Sequence, residues 1–180
     1  LPQKSTILDA ACGIGRYLPY LLEKAHSFIG TDQSQGMLAK AKAKFPDVPF
    51  EKVSLQELSY QKKFDGVICV DAMENVCPED WPVVLANFNR ALKKDGYLYL
   101  TSEIIEKADE SEIREAYQRA HQAGIPVVYG ENPGEGIYHY HPTRLQVKTT
   151  VQQTGFKLVK EGNSDEWYYH ILMIKKTKGK

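Results

Sequence analysis

Strand-like and helix-like segments alternate through the first half of this chain. Each short apolar run is followed by a segment whose apolar residues recur at helical spacing. Successive strands that are joined by helices pair in parallel, because the helix returns the chain to the same edge of the sheet. The alternation therefore predicts an α/β fold with helices on both faces of a parallel sheet. The predicted strands cover residues 6–10, 27–32, 50–53, 64–70 and 97–101.

The last third of the chain departs from this alternation. A helix is predicted over about 142–154, and two further strands over 156–160 and 168–174 are joined by a short polar turn around 162–165. A turn of that length joins antiparallel neighbours, because a parallel return needs a long crossover. The sheet is therefore predicted to be parallel apart from one reversed strand near its edge.

Composition excludes several classes of protein. Lys and Arg together number 23, as do Asp and Glu, so the net charge is zero and a nucleic-acid partner is not expected. No apolar run reaches the roughly 20 residues that a membrane helix needs, and no signal-peptide pattern opens the chain. The three cysteines lack the spacing of a disulfide framework or a zinc site. These features predict one cytoplasmic domain over residues 1–180, without membrane association and of open oligomeric state.

The turn after the first strand carries the strongest functional signal. It reads Asp9-Ala10-Ala11-Cys12-Gly13-Ile14-Gly15, and its small residues let the backbone approach a ligand closely. Open α/β sheets bind ligands at this edge, where the strands end. Asp32 ends the second strand, and its carboxylate can accept hydrogen bonds from both hydroxyls of a ribose. Leu18 stands where a dinucleotide fingerprint would have its third glycine, which disfavours NAD and FAD.

In these motifs the chain resembles the class I S-adenosylmethionine-dependent methyltransferases. The turn at 9–15, the segment 30–34 with Met37, the strand at 64–72 and the segment 91–98 are similar to motifs of that family in order and spacing. The resemblance covers nearly the whole chain. It implies a three-layer Rossmann-like sandwich with a seven-stranded sheet of order 3-2-1-4-5-7-6, in which strand 7 is antiparallel. It also implies S-adenosylmethionine as cofactor and S-adenosylhomocysteine as product.

The resemblance also implies which residues bind the cofactor. Asp9 would reach the methionyl amino group and Asp32 the ribose. The family usually has an acidic residue near the adenine amino group, where this chain has Ser54 followed by Leu55. The Ser54 hydroxyl and the Leu55 N–H would then serve the adenine ring. The predicted cofactor-binding residues are Asp9, Ala11, Gly13, Gly15, Asp32, Gln33, Met37, Ser54, Leu55, Val70 and Asp71.

The acceptor site is predicted over the same sheet edge, beneath a substrate lid at about 103–141. That segment is longer than the usual strand–helix connection, which is typical of lids. Within it, the alternation in Tyr138-His139-Tyr140-His141 would direct both histidines one way if the backbone were extended. Glu74, His139 and His141 are the candidate catalytic bases. Two histidines without a clear third ligand predict no metal site.

The substrate class and two other functions stay open. The turn after strand four lacks the Asn/Asp-Pro-Pro-aromatic signature of amino-methylating DNA enzymes, and with the neutral charge this favours a small-molecule acceptor. No motif distinguishes O-, N-, S- and C-methylation. The alternatives are a noncatalytic S-adenosylmethionine-binding subunit and an NAD-dependent oxidoreductase that would share Asp32. The amino-terminal helices usual in the family do not precede the first strand, so a fragment or an open-sited form is expected.

Overall fold

The computed structural model describes residues 1–2, 4–24, 27–106, 110–134, 138–163 and 168–176. The strands are β1 Thr6–Ala10, β2 Ser27–Asp32, β3 Phe50–Lys52, β4 Phe64–Cys69, β5 Leu92–Glu103, β6 Glu131–Asn132, β7 His139–Tyr140, β8 Phe156–Asn163 and β9 Tyr168–Lys175. The helices are α1 Leu18–Leu22, α2 Gln35–Lys44, α3 Trp81–Ala91, α4 Glu110–Gln122 and α5 Arg144–Gln153, with one 3₁₀ turn at Met73–Asn75.

Seven of these strands form one sheet in the order β3-β2-β1-β4-β5-β9-β8. The pairs from β3 to β5 are parallel, whereas β9 runs antiparallel to both β5 and β8. The predicted strands 6 and 7 correspond to β8 and β9, so the fold prediction is confirmed, including the reversed strand. Residues 164–167, in and after the predicted turn, lie outside the described residues.

Helices cover both faces of the sheet because the central strands are apolar on both sides. On one face, α3 buries Trp81, Leu85 and Phe88 in the larger core. On the other face, Leu18 of α1 packs with Phe28 in a smaller cluster. Burying one such side chain contributes about 1.5–3 kcal/mol, so these contacts hold the strand ends in fixed positions.

The start of one predicted strand differs from the structure. The fifth strand was expected to begin at residue 97, but β5 already begins at Leu92, which is fully buried and pairs with Phe64. The pairing of β4 with β5 shifts in register between Phe64 and Gly66, and Asp95 has a φ of 58°. Residues 93–96 therefore belong to β5 as an irregular stretch of strand and do not form a loop before it. The antiparallel pair β6–β7 lies within residues 125–141.

The segment predicted as a lid holds α4 and the β6–β7 hairpin. α4 buries Ile113, Ala116 and Ala120 and lies against β6, so the described part of the segment is a packed unit. Residues 107–109 and 135–137 of it lie outside the described residues. No helix in the described part of the chain has the length and apolar character that crossing a membrane would require.

Candidate functional site

A cleft of about 540 Å³ opens where β1, β2, β3 and β4 end. All four strands are parallel, so the turns that follow them meet at one edge of the sheet. The volume is in the range of pockets for small ligands, about 300–1,000 Å³. Nine of the eleven predicted cofactor-binding residues line it: Ala11, Gly13, Asp32, Gln33, Met37, Ser54, Leu55, Val70 and Asp71. Asp9 and Gly15 do not.

The two glycines of the turn after β1 have different tasks. Gly13 has a φ of +55°, and no described atom lies within 4 Å of the place where a Cβ would stand, so its backbone is open to a ligand. Gly15 has a φ of +76°, and a Cβ there would lie 2.9 Å from the Phe45 ring. Gly15 is therefore required by packing against the end of α2, which explains why it lies outside the cleft lining.

Asp32 joins the turn after β1 to the end of β2. The Gly13 N–H donates to its Oδ2 at 2.9 Å, and the Ser34 N–H donates to its Oδ1 at 2.8 Å. A carboxylate has about four acceptor positions, so both oxygens can accept a further hydrogen bond each. Asp32 lines the cleft, and the two backbone bonds hold its carboxylate ready for a ligand with two adjacent hydroxyls.

Asp9 lies beneath the cleft. The residue is 2% exposed, and its Oδ2 has no hydrogen-bond partner among the described residues. Burial, with a smaller contribution from the nearby charge of Asp32, raises the pKa of Asp9 to about 7. A buried carboxylate without a partner is unfavourable, so this position favours a ligand that brings a positive charge.

Hydrogen bonds hold two polar side chains on the side of the cleft where adenine is predicted to bind, around Ser54. The Ser54 hydroxyl donates to Glu57 Oε2 at 2.7 Å. Gln56, which the sequence analysis did not name, lines the cleft and donates from Nε2 to Asp80 Oδ2 at 3.1 Å. Asp80 therefore holds a cleft residue in place.

A second group of side chains lies outside the turns that follow β1 to β4. In this group, Glu103 at the end of β5 contacts two histidines of the predicted lid. Glu103 ends β5, and its Oε2 lies 2.9 Å from His141 Nε2 and 3.7 Å from His139 Nδ1. The backbone of β7 is extended, so the two histidines face the same side, with ring centroids 6.0 Å apart. The hydrogen bond from His141 holds the pKa of Glu103 below its usual range.

The hairpin that carries these histidines is fixed to the body of the protein. The His141 N–H donates to the Gly130 carbonyl at 2.9 Å, and a Cβ at Gly130 would lie only 2.3 Å from the His141 carbonyl oxygen. Tyr140, between the histidines, is buried and meets Trp81 edge to face at 5.9 Å. Tyr140 thus anchors the strand while its neighbours remain directed at Glu103.

Glu74 joins this group to the cleft. It lies in the 3₁₀ turn after β4, is 2% exposed, and its Oε2 has no partner in the part of the chain that the structure describes. Burial raises the pKa of Glu74, and the nearby carboxyls of Asp71 and Glu103 raise it further. The Tyr168 hydroxyl donates to Asp71 Oδ1. We call these residues the acid–histidine cluster: Asp71, Glu74, Glu103, His139, His141 and Tyr168.

The sequence analysis named neither Glu103 nor Tyr168 as a site residue. Glu103 could have been found, because a carboxylate that ends a central parallel strand lies at the same edge as the cleft. Tyr168 could not, since its place depends on the register of β9, which sets it opposite Glu103. Asp71 lies in both the cleft and the cluster, with a φ of 57° and its N–H bonded to Thr101 Oγ1 at 2.9 Å.

Comparison with known proteins identifies the relatives of this chain. Residues 7–96, half of its length, match the family described as "Methyltransferase domain". The ubiquinone/menaquinone biosynthesis C-methyltransferase UbiE of Campylobacter jejuni is 34% identical over 100 residues, which are 51% of this chain and 42% of that protein. The chain spans less than half of the length of the curated relatives it matches.

Solved structures share the fold across almost the whole chain. A SAM-dependent methyltransferase of Methanosarcina mazei has a TM-score of 0.84 at 18% identity, with 99% of this chain and 95% of that one covered. The 1,6-didemethyltoxoflavin-N1-methyltransferase of Burkholderia thailandensis, with bound 1,6-didemethyltoxoflavin and S-adenosylhomocysteine, has a TM-score of 0.72 at 18% identity over 97% of this chain and 72% of that one.

Proposed function

Because this chain belongs to the methyltransferase domain family, we propose that it transfers the methyl group of S-adenosylmethionine to a small-molecule acceptor and releases S-adenosylhomocysteine. The observation that carries the proposal is the pair of carboxyls at the cleft. Asp32 lines the cleft, and its carboxylate has acceptor positions left for a ligand. Asp9 lies beneath the cleft, and its Oδ2 has no hydrogen-bond partner among the described residues. A ligand that fits both must offer a diol and a cation, as the ribose and the methionyl ammonium do.

The other groups of the cofactor have partners in the same cleft. Met37 is 44% exposed there and offers an apolar surface for the adenine ring, as does Leu55. The open backbone at Gly13 faces the methionyl chain. Val70 and Asp71 lie on the far side, at the end of β4, where the sulfonium would stand. This assignment directs the transferable methyl group towards Asp71 and therefore towards the acid–histidine cluster.

The acceptor is assigned to the acid–histidine cluster, under the segment 103–141. Methyl transfer is an in-line displacement, so the nucleophile must approach the methyl carbon from the side opposite to sulfur. Glu74 is assigned as the proton acceptor, since its buried Oε2 has no described partner. His139 and His141, the other two candidates from the sequence, are assigned to holding the acceptor. The bound 1,6-didemethyltoxoflavin in the Burkholderia relative supports an acceptor of small-molecule size.

The proposal is tested by calorimetry with S-adenosylhomocysteine. We expect a dissociation constant in the micromolar range, worth roughly −8 kcal/mol, and no comparable binding of NAD. A panel of hydroxyl, amine, thiol and activated-carbon acceptors with methyl-labelled S-adenosylmethionine then measures transfer. Absence of cofactor binding would contradict the proposal, and preferential NAD binding would select an oxidoreductase. Cofactor binding without transfer to any acceptor of the panel would instead indicate a noncatalytic binding subunit.

Cofactor binding is expected to release a proton from Asp9 and to strengthen as the pH rises through 7. Asp9 has a pKa of about 7 in the free protein and must ionise to pair with the methionyl ammonium. Binding should release about 0.9 proton at pH 6 and about 0.1 at pH 8. Calorimetry in two buffers of different ionisation heat measures this number.

The control for this experiment is Asp9→Asn, which keeps the size of the side chain but cannot ionise. The variant should bind S-adenosylhomocysteine more weakly, and the difference in proton release between it and the wild type isolates Asp9 from the histidines nearby. Equal proton release by the two proteins at pH 6 would show that Asp9 does not pair with the ammonium.

A further inference from the structure

Glu103, His139 and His141 each place one potential metal-binding atom close to the others. These atoms lie within 4.8 Å of one another. Bonds of about 2.0–2.2 Å place two ligands of one ion roughly 3–4 Å apart, so the most widely separated pair of these atoms needs to close by roughly 1–2 Å to share an ion. We propose that Glu103, His139 and His141 form a binding site for one divalent transition-metal ion at the acceptor side of the cleft.

The type of ligand selects the class of ion. Two imidazole nitrogens and one carboxylate oxygen suit zinc and its first-row neighbours, whereas magnesium and calcium prefer oxygen ligands alone. The surroundings favour a cation as well. The carboxyls of Asp71 and Glu74 belong to the same cluster, whereas the Arg16 guanidinium, 3.8 Å from Asp71 on the exposed side, offsets part of the charge of Asp71.

The fold holds the ligands close together, and the ion would replace the present hydrogen bond between His141 Nε2 and Glu103 Oε2. Glu103 is held by the pairing of β5 with β9, and the histidines are held by the β6–β7 hairpin. His141 Nδ1 is buried and has no hydrogen-bond partner in the described residues, so no bond on that side prevents a small rotation of the ring. The sequence argument against a metal site was the lack of a third ligand, and Glu103 supplies one from a distant strand.

Three protein ligands leave at least one position of the ion open. The role of that position rests on the proposed function: it would take the oxygen of an acceptor with an ionisable hydroxyl. The hydroxyl proton would pass to Glu74, because coordination lowers the pKa of a bound hydroxyl. The oxygen then forms the bond to the methyl carbon while the carbon–sulfur bond breaks, and its electron pair stays on sulfur as S-adenosylhomocysteine leaves.

The site is tested by titrating chelator-treated protein with Zn²⁺ in a calorimeter and with Co²⁺ in a spectrophotometer. We expect one ion per chain with a dissociation constant in the micromolar range or below, and visible Co²⁺ bands of a nitrogen–oxygen site. Glu103→Gln and His139→Ala should each weaken Zn²⁺ binding by at least about 10-fold, because the first replaces a charged carboxylate ligand by a neutral amide and the second removes an imidazole ligand. The matched control is His121→Ala on α4, an exposed histidine outside the cluster, which should bind as the wild type does.

Binding of S-adenosylhomocysteine to the same samples separates this inference from the proposed function. Zn²⁺ binding that the ligand variants weaken, without any cofactor binding, leaves the metal site standing and removes the proposed function. Cofactor binding without Zn²⁺ or Co²⁺ binding at 100-fold excess over protein overturns the metal site. Equal Zn²⁺ binding by wild type and ligand variants also overturns it. Turnover that a chelator leaves unchanged would remove the assigned role in transfer.

Discussion

Replacing Asp32 by alanine is expected to weaken S-adenosylhomocysteine binding by roughly 10–150-fold. Hydrogen bonds to a charged group contribute about 1.5–3 kcal/mol, and the Asp32 carboxylate is assigned both hydroxyls of the ribose. The substitution also removes the acceptor for the Gly13 and Ser34 N–H groups, so the turn after β1 is no longer hydrogen-bonded to the residue that ends β2. Calorimetry on the purified variant measures the change in dissociation constant.

A matched control separates the loss of these bonds from a general effect of removing a carboxylate. Asp47 is an exposed aspartate after α2 and lies outside the cleft, so Asp47→Ala should bind as the wild type does. Thermal unfolding of both variants checks that each is folded at the temperature of the titration. A folded Asp32→Ala variant with wild-type affinity would show that the ribose is not bound at this carboxylate.

The fold could be predicted because its signals are local. Apolar runs, helical spacing and the short turn before β9 each depend on neighbouring residues, and together they give the parallel sheet with its reversed strand. The strand order came from the resemblance and not from these patterns. The predicted start of the fifth strand was wrong because that boundary depends on pairing with a distant strand. Leu92 belongs to β5 because it pairs with Phe64, and the spacing of apolar residues does not show this pairing.

The cleft was more predictable than the acid–histidine cluster, for a geometric reason. The turns after parallel strands always meet at one edge, so the position of the cleft could be predicted from the ends of β1 to β4, whereas its individual cofactor-binding residues came from the resemblance. Glu103 and His141 are 38 positions apart in the chain, and their contact depends on how the β6–β7 hairpin packs. The close approach of Gly130 to His141 fixes that packing, and the sequence shows Gly130 only as one glycine among many.

Replacing Glu74 by glutamine is expected to lower turnover by roughly 10²–10⁴-fold, the usual contribution of a general base. Glutamine has nearly the same volume and can still make hydrogen bonds in the turn, but it cannot take the acceptor proton. Because Glu74 is 2% exposed and lies outside the cleft lining, the affinity for S-adenosylhomocysteine should change little. The expected pattern is a loss of kcat with an unchanged dissociation constant, measured with methyl-labelled cofactor and an acceptor from the panel.

The control for Glu74 is Glu79→Gln, an exposed glutamate that follows in the same connection between β4 and α3 and should leave turnover as it is. An acceptor that carries no proton on its nucleophilic atom gives a second check, because it needs no base and should be methylated at similar rates by Glu74→Gln and the wild type. If Glu74→Gln transfers methyl groups to a hydroxyl acceptor at the wild-type rate, the proton goes elsewhere. Catalysis would then depend on the alignment of acceptor and cofactor alone, since the methyl donor is already activated.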